Sequence, residues 1–200
     1  MKLFNSFAAT ISSPFFWWLK AWDLYQAALS LMQSYKEASE IYFEAMPKKT
    51  GRVKLTPQQQ EASTRLGFPQ VYLFLMGLAF ENALKGLLIS RDPSLVEDSK
   101  LSEKISKGSK GHYLLDLFDK AEIRLSSEEQ EFINRLSDSV IWAGRYPAPK
   151  HEKDWVPTSL LQGGHIQPGT YMPSDEATAQ TIWRRTEEVL RKDPNYPKAI

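Results

Sequence analysis

FPQVYLFLMGLAFENALKGLLI, residues 68–89, is apolar on almost every side and breaks that character at one recurring place, Glu81, Asn82 and Lys85. An all-round apolar segment of this length is either a membrane span or the central helix of a bundle. Pro69 at the entry and two ionisable groups in mid-segment favour the bundle. Glu81 and Lys85 stand at i and i+4 in the favourable order, glutamate first, so they can pair on one helix face. A buried charge requires a partner. Each supplies the other's, with Asn82 or an arginine from another helix as further partners, and the expected role is a structural ion pair. Ala79, Ala83 and Gly86 form a strip of small residues where a neighbouring helix can come close. A helix covered on several sides needs several partners, so the segment predicts an all-α, multi-helix bundle with no membrane span.

Upstream, Ser13-Pro14 has the form of a helix start, with serine at the cap and proline at the first helical position. A long helix is expected over 14–46, since Trp18, Trp22, Tyr25, Leu29 and Met32 recur at spacings of four and three and Pro47 stops the pattern. Its length leaves room for a break. Thr56-Pro57-Gln58-Gln59 is a capping box for a short helix to Leu66, ended by Gly67.

Downstream, the chain turns polar after Arg91-Asp92-Pro93, and Lys100, Lys104, Lys107 and Lys110 follow at spacings of four, three and three. A short helix is expected from His112 to Ala121. Ser126-Ser127-Glu128-Glu129 is a second capping box, opening a helix whose apolar face is Phe132, Ile133, Leu136, Val140 and Ala143. Five prolines and three glycines between Gly144 and Pro173 forbid a long helix, so 145–173 reads as a long Pro/Gly-rich loop. A last helix is expected over 174–192, capped by Ser174, with Arg191 and Lys192 at its negative end. No stretch alternates clearly enough to predict a strand.

Two hundred residues suit a single domain, 1–200, and a net charge of +1 selects no class of partner. The absence of cysteine excludes disulfides and thiolate metal sites. The three histidines at 112, 151 and 165 lack helical i,i+4 pairing, so no metal and no cofactor is expected. The N-terminal stretch superficially resembles a signal peptide, but Asn5, Ser6, Ser12, Ser13 and Pro14 break its apolar run, and a cytoplasmic location is expected. Walker, Rossmann and nucleophile-elbow motifs are missing, which removes the common ATPase, dehydrogenase and hydrolase readings.

ENALKGLLI, a basic loop and then GHYLLDLFDKAEI together resemble the HEPN (higher eukaryotes and prokaryotes nucleotide-binding) superfamily. That family pairs a helix of the form E-x-x-L-K-x-L-L with a following H-x-L-x-x-L helix. The matching positions are Glu81, Leu84, Lys85, Leu87 and Leu88, then His112, Leu114 and Leu117, within a core of about 68–145. The resemblance implies a HEPN-like bundle of four to six helices, commonly a homodimer, that binds RNA or a nucleotide. Many members are metal-independent endoribonucleases of toxin and defence systems, partnered by an antitoxin or a nucleotidyltransferase.

The family's catalytic mark is an arginine and a histidine with four to six residues between them. Arg145 and His151 match with five between, although Pro147 and Pro149 deny them a helical setting and Tyr146 departs from the usual polar residue. In that role Arg145 would hold the scissile phosphate and His151 would move the proton of the 2′-hydroxyl or the leaving oxygen. The plain structural alternative is that Arg145 caps the preceding helix and His151 is a solvated loop residue. His112 beside Lys107 and Lys110 is a candidate phosphate-binding group, against a structural role at its helix start. Phe15, Phe16, Trp17, Trp18 and Trp22 could present a partner-binding stripe, although core and dimer packing accounts for them first. The alternative function is a non-catalytic helical interaction and dimerisation module.

Overall fold

The computed structural model describes residues 7–44, 54–106, 112–146, 158–159, 165–167 and 169–196. The fold is all-α. Its axis is α4 (Phe68–Arg91), in which sixteen residues are buried, among them Glu81 and Lys85. It lies within the one described helical stretch, Pro57–Arg91, apolar enough by length and composition to cross a membrane, and the apolar window of that stretch is 78% buried inside the bundle.

The longest element, α2 (Pro14–Glu44), starts at the anticipated proline and runs without a break, a length of about 46 Å. It lies antiparallel to α4, its first turn against the end of α4 and Ser34 beside the arginine that precedes it. Gly86 makes the close approach that the small-residue strip anticipates. A Cβ there would sit 2.8 Å from that of Trp17. A short α1 (Phe7–Ser12) precedes α2, and Trp17 donates its indole N–H to the Ile11 carbonyl.

Both capping boxes are present. Thr56 and Gln59 cap α3 (Pro57–Ser63), which stops three residues before the expected Leu66. Ser126 and Glu129 cap α7 (Ser127–Asp138). Beyond Asp138 the expected helix continues only as one widened π turn, Ser139–Ala143. The short α5 (Glu103–Ser106) and α6 (Leu114–Lys120) precede it, and His112 stands two residues ahead of α6 rather than within it.

The last helix, α8 (Asp175–Lys192), has no side-chain cap from Ser174. Asp175 organises that end instead, accepting from the Met172 N–H and pairing bidentately with Arg135 at 2.6 and 2.8 Å. Trp183 of α8 centres the core, stacked on Tyr25 at 4.2 Å and on Trp18 at 5.7 Å, with Phe80 alongside. Trp18 and Tyr25 of the N-terminal aromatic run therefore face inward.

The expectation of no strands needs one correction. A two-residue ladder joins β1 (Val96–Glu97) to β2 (Lys100–Leu101) through Asp98 and Ser99, both at positive φ. Two central residues at positive φ make the primed turn whose twist suits a tight hairpin, and aspartate tolerates that conformation. A second ladder, β3 (Thr158–Ser159) with β4 (His165–Ile166), falls inside the stretch read as loop.

Candidate functional site

A buried polar network forms where α4 meets the segment leading into α6. Glu81 and Lys85 lie one helical turn apart on α4, and their side chains meet at 2.7 Å, both almost wholly buried. The second carboxylate oxygen of Glu81 lies 2.8 Å from Nδ1 of His112. One buried carboxylate thus serves two basic groups from different parts of the chain. Asn82, anticipated as a further partner, instead donates to the Leu78 carbonyl. The third member is a histidine, not an arginine.

The surroundings hold His112 in place. Ser137 of α7 accepts from the Leu114 N–H at 3.0 Å and donates to the Ile133 carbonyl, so the entry to α6 is tied to α7 two residues beyond the imidazole. With Nδ1 turned to the buried carboxylate and about a third of the side chain exposed, Nε2 is left with no partner among the described residues. A neutral imidazole that donates from Nδ1 presents Nε2 as an acceptor, the arrangement in which a carboxylate orients a working histidine. Tyr113, next in the chain, is 43% exposed.

Arg145 reaches the same face of α4 further toward its start. Its guanidinium lies 5.6 Å from the centre of the Phe74 ring, within cation–π range. Gly144 makes this passage possible, since a Cβ there would come within 2.5 Å of the Phe74 side chain. Phe74 and Glu81 are seven residues apart, two turns on one helix stripe, so Arg145 sits about 10 Å along the helix from the Glu81–His112 contact. At the end of the π turn the Arg145 and Tyr146 backbone N–H groups both donate to the Trp142 carbonyl. His151, Lys107 and Lys110 lie outside the described residues.

Asp138, at the end of α7, is the residue that motif reading missed. Burial pushes its carboxyl up to about 6, with no charged group offsetting the desolvation. The π turn begins at the next residue, and such turns gather at functional sites. Its sequence signal is faint: one aspartate among the serines of Ser137-Asp138-Ser139, on a helix whose apolar pattern simply continues. Among the described residues no group of three or more histidine, aspartate or glutamate side chains is placed to hold a metal ion. Compared with protein-family models, curated proteins and solved structures, the chain matches none.

Proposed function

We propose that this protein is a HEPN-type bundle that binds RNA or a nucleotide through the polar strip of α4, with metal-independent RNA cleavage as its reaction. The observation that carries the reading is the meeting of Glu81, Lys85 and His112 in one network. Those three residues are the polar positions of the two motif pieces whose order along the chain suggested the family. Glu81 and His112 stand 31 positions apart in the chain, and the fold brings them to 2.8 Å. Arg145 supplies a permanent cation two turns away, beside the exposed Tyr146. Arginine, a histidine and open tyrosines are the groups that hold phosphates and stack bases in single-stranded RNA sites.

In this reading Arg145 holds the scissile phosphate and His151 is its acid–base partner. The test is incubation of mixed single-stranded RNA with purified protein in EDTA, beside an Arg145→Ala, His151→Ala double variant. Wild-type cleavage lost in the variant is the expected result. No cleavage by the wild type removes the nuclease part of the proposal.

One observation favours a second reading, a non-catalytic dimerisation and interaction module. An open apolar groove of about 250 Å³ lies between α1, the start of α2 and Asn82 of α4, lined by Phe7, Ile11, Phe16 and Trp17. Phe7, at the edge of the groove, is 69% exposed.

A further inference from the structure

We propose that the face built from α1 and the start of α2 docks on an anionic lipid bilayer, as a surface contact and not a span. The occupant of the open apolar groove is then the layer where lipid headgroups meet acyl chains. The interaction goes beyond the RNA-binding reading and does not depend on it.

The groove is not built for a polar ligand. Trp17 commits its indole N–H to the Ile11 carbonyl, and Asn82 commits its amide to the Leu78 carbonyl. With those donors engaged, Phe7, Ile11, Phe16 and the Trp17 ring set the chemistry of a cavity of about 250 Å³. Phe7 and Phe16 stand exposed at its edge, and Leu19 extends the exposed apolar stripe by one turn of α2. Aromatic and leucine side chains on a surface helix are the groups that enter the boundary between headgroups and acyl chains. An indole whose N–H is already satisfied loses no hydrogen bond on doing so.

Charge selects the kind of surface. Residues 1–22 contain Lys2 and Lys20 and no acid, the first carboxylate being Asp23. Because α1 lies against β2, a second basic stretch joins this face. Residues 96–110 hold four lysines against Glu97, Asp98 and Glu103. Two lysines with no acid and four lysines with three acids leave a balance of +3, in a chain whose net charge is +1. Lys20, Lys100 and Lys104 are all exposed. An isologous contact between two copies would set this cationic rim against itself. Anionic headgroups complement it instead, and each lysine near such a surface strengthens the attachment.

Co-sedimentation of the full chain with vesicles tests this, with phosphatidylcholine alone beside equal parts of phosphatidylcholine and phosphatidylglycerol. The expected result is binding to the anionic vesicles at least about tenfold tighter than to the neutral ones, weakening as salt rises. A Phe7→Ser, Phe16→Ser double variant should lower that binding at least about tenfold, and Lys20→Gln, Lys100→Gln by a similar factor. All four side chains are exposed, so circular dichroism should show unchanged helix content in both variants. Failure of the wild type to bind anionic vesicles overturns the proposal. Equal binding to neutral vesicles, or unchanged binding by either variant, does the same. A wild type that is dimeric through the two phenylalanines and leaves vesicles unbound overturns it too, and assigns the groove to a second copy.

Discussion

Asp138 shows how one side chain can set a pH dependence without joining an ion pair. Its carboxyl is raised from 3.8 to about 6 by burial alone. Between those values the folded chain holds a proton that the unfolded chain has released, so stability falls as pH rises from about 4 to about 6. The full cost of the buried carboxylate applies above that window. Asp138→Asn should therefore be more stable than wild type at pH 7, by about 1–3 kcal/mol after allowance for partial exposure, and the gain should vanish near pH 4. Urea unfolding of both proteins at the two pH values checks this, and an equal gain at both would show that the carboxylate is not the cause. Glu129 behaves in the opposite way, since the Arg185 guanidinium beside it lowers its carboxyl. Lys85 offers a third case. It is buried against a single carboxylate, so its removal strands a charge that His112 alone would have to balance.

Ion pairs between elements decide how the helix ends dock. Arg135 of α7 makes two hydrogen bonds to Asp175 and a third to the Thr170 carbonyl, fastening the first turn of α8 and the segment before it. Both partners are essentially excluded from water. Breaking such a pair from one side leaves an uncompensated charge, so Arg135→Ala should cost about 3–5 kcal/mol. Thermal or denaturant unfolding measures it, and a loss below about 1 kcal/mol would mean that the pair contributes geometry rather than stability. A second tie closes the far end of α8, where Ser90 donates to Asp193 and Asn195 donates to the Ser90 carbonyl. Elements whose ends carry sequence-local signals were legible in advance. Both capping boxes depend on residues three apart, and Pro14 needs only its own ring. α8 starts where expected, after Ser174, but without a side-chain cap from that serine; Asp175 at its first turn is held by Arg135, forty residues away.

The whole bundle is organised by aromatic stacking around Trp183, which draws α2, α4 and α8 into one core. That arrangement spends Trp18 and Tyr25 internally, while an apolar groove at α1 stays open among the described residues. If copies of the chain associate there, a Phe7→Ser, Phe16→Ser double variant should shift the protein from dimer to monomer with little loss of helix content. Sedimentation equilibrium beside circular dichroism distinguishes the outcomes. A wild type that stays monomeric at its highest soluble concentration would remove the groove as a dimer surface.

What the chain determined by itself was helices α2, α3, α4, α6, α7 and α8, the identity of the central one and its polar interruption at Glu81 and Lys85. Those features rest on periodicity, caps and i,i+4 spacing, all of them short-range along the sequence. The tertiary structure alone decided that Glu81 faces His112, that Gly144 lets Arg145 settle over Phe74, and that Asp138 is pressed into a poorly solvated place. Each depends on two segments approaching from tens of residues apart. Helix packing fixes such approaches through side-chain shape over the whole core, and no local spacing encodes them.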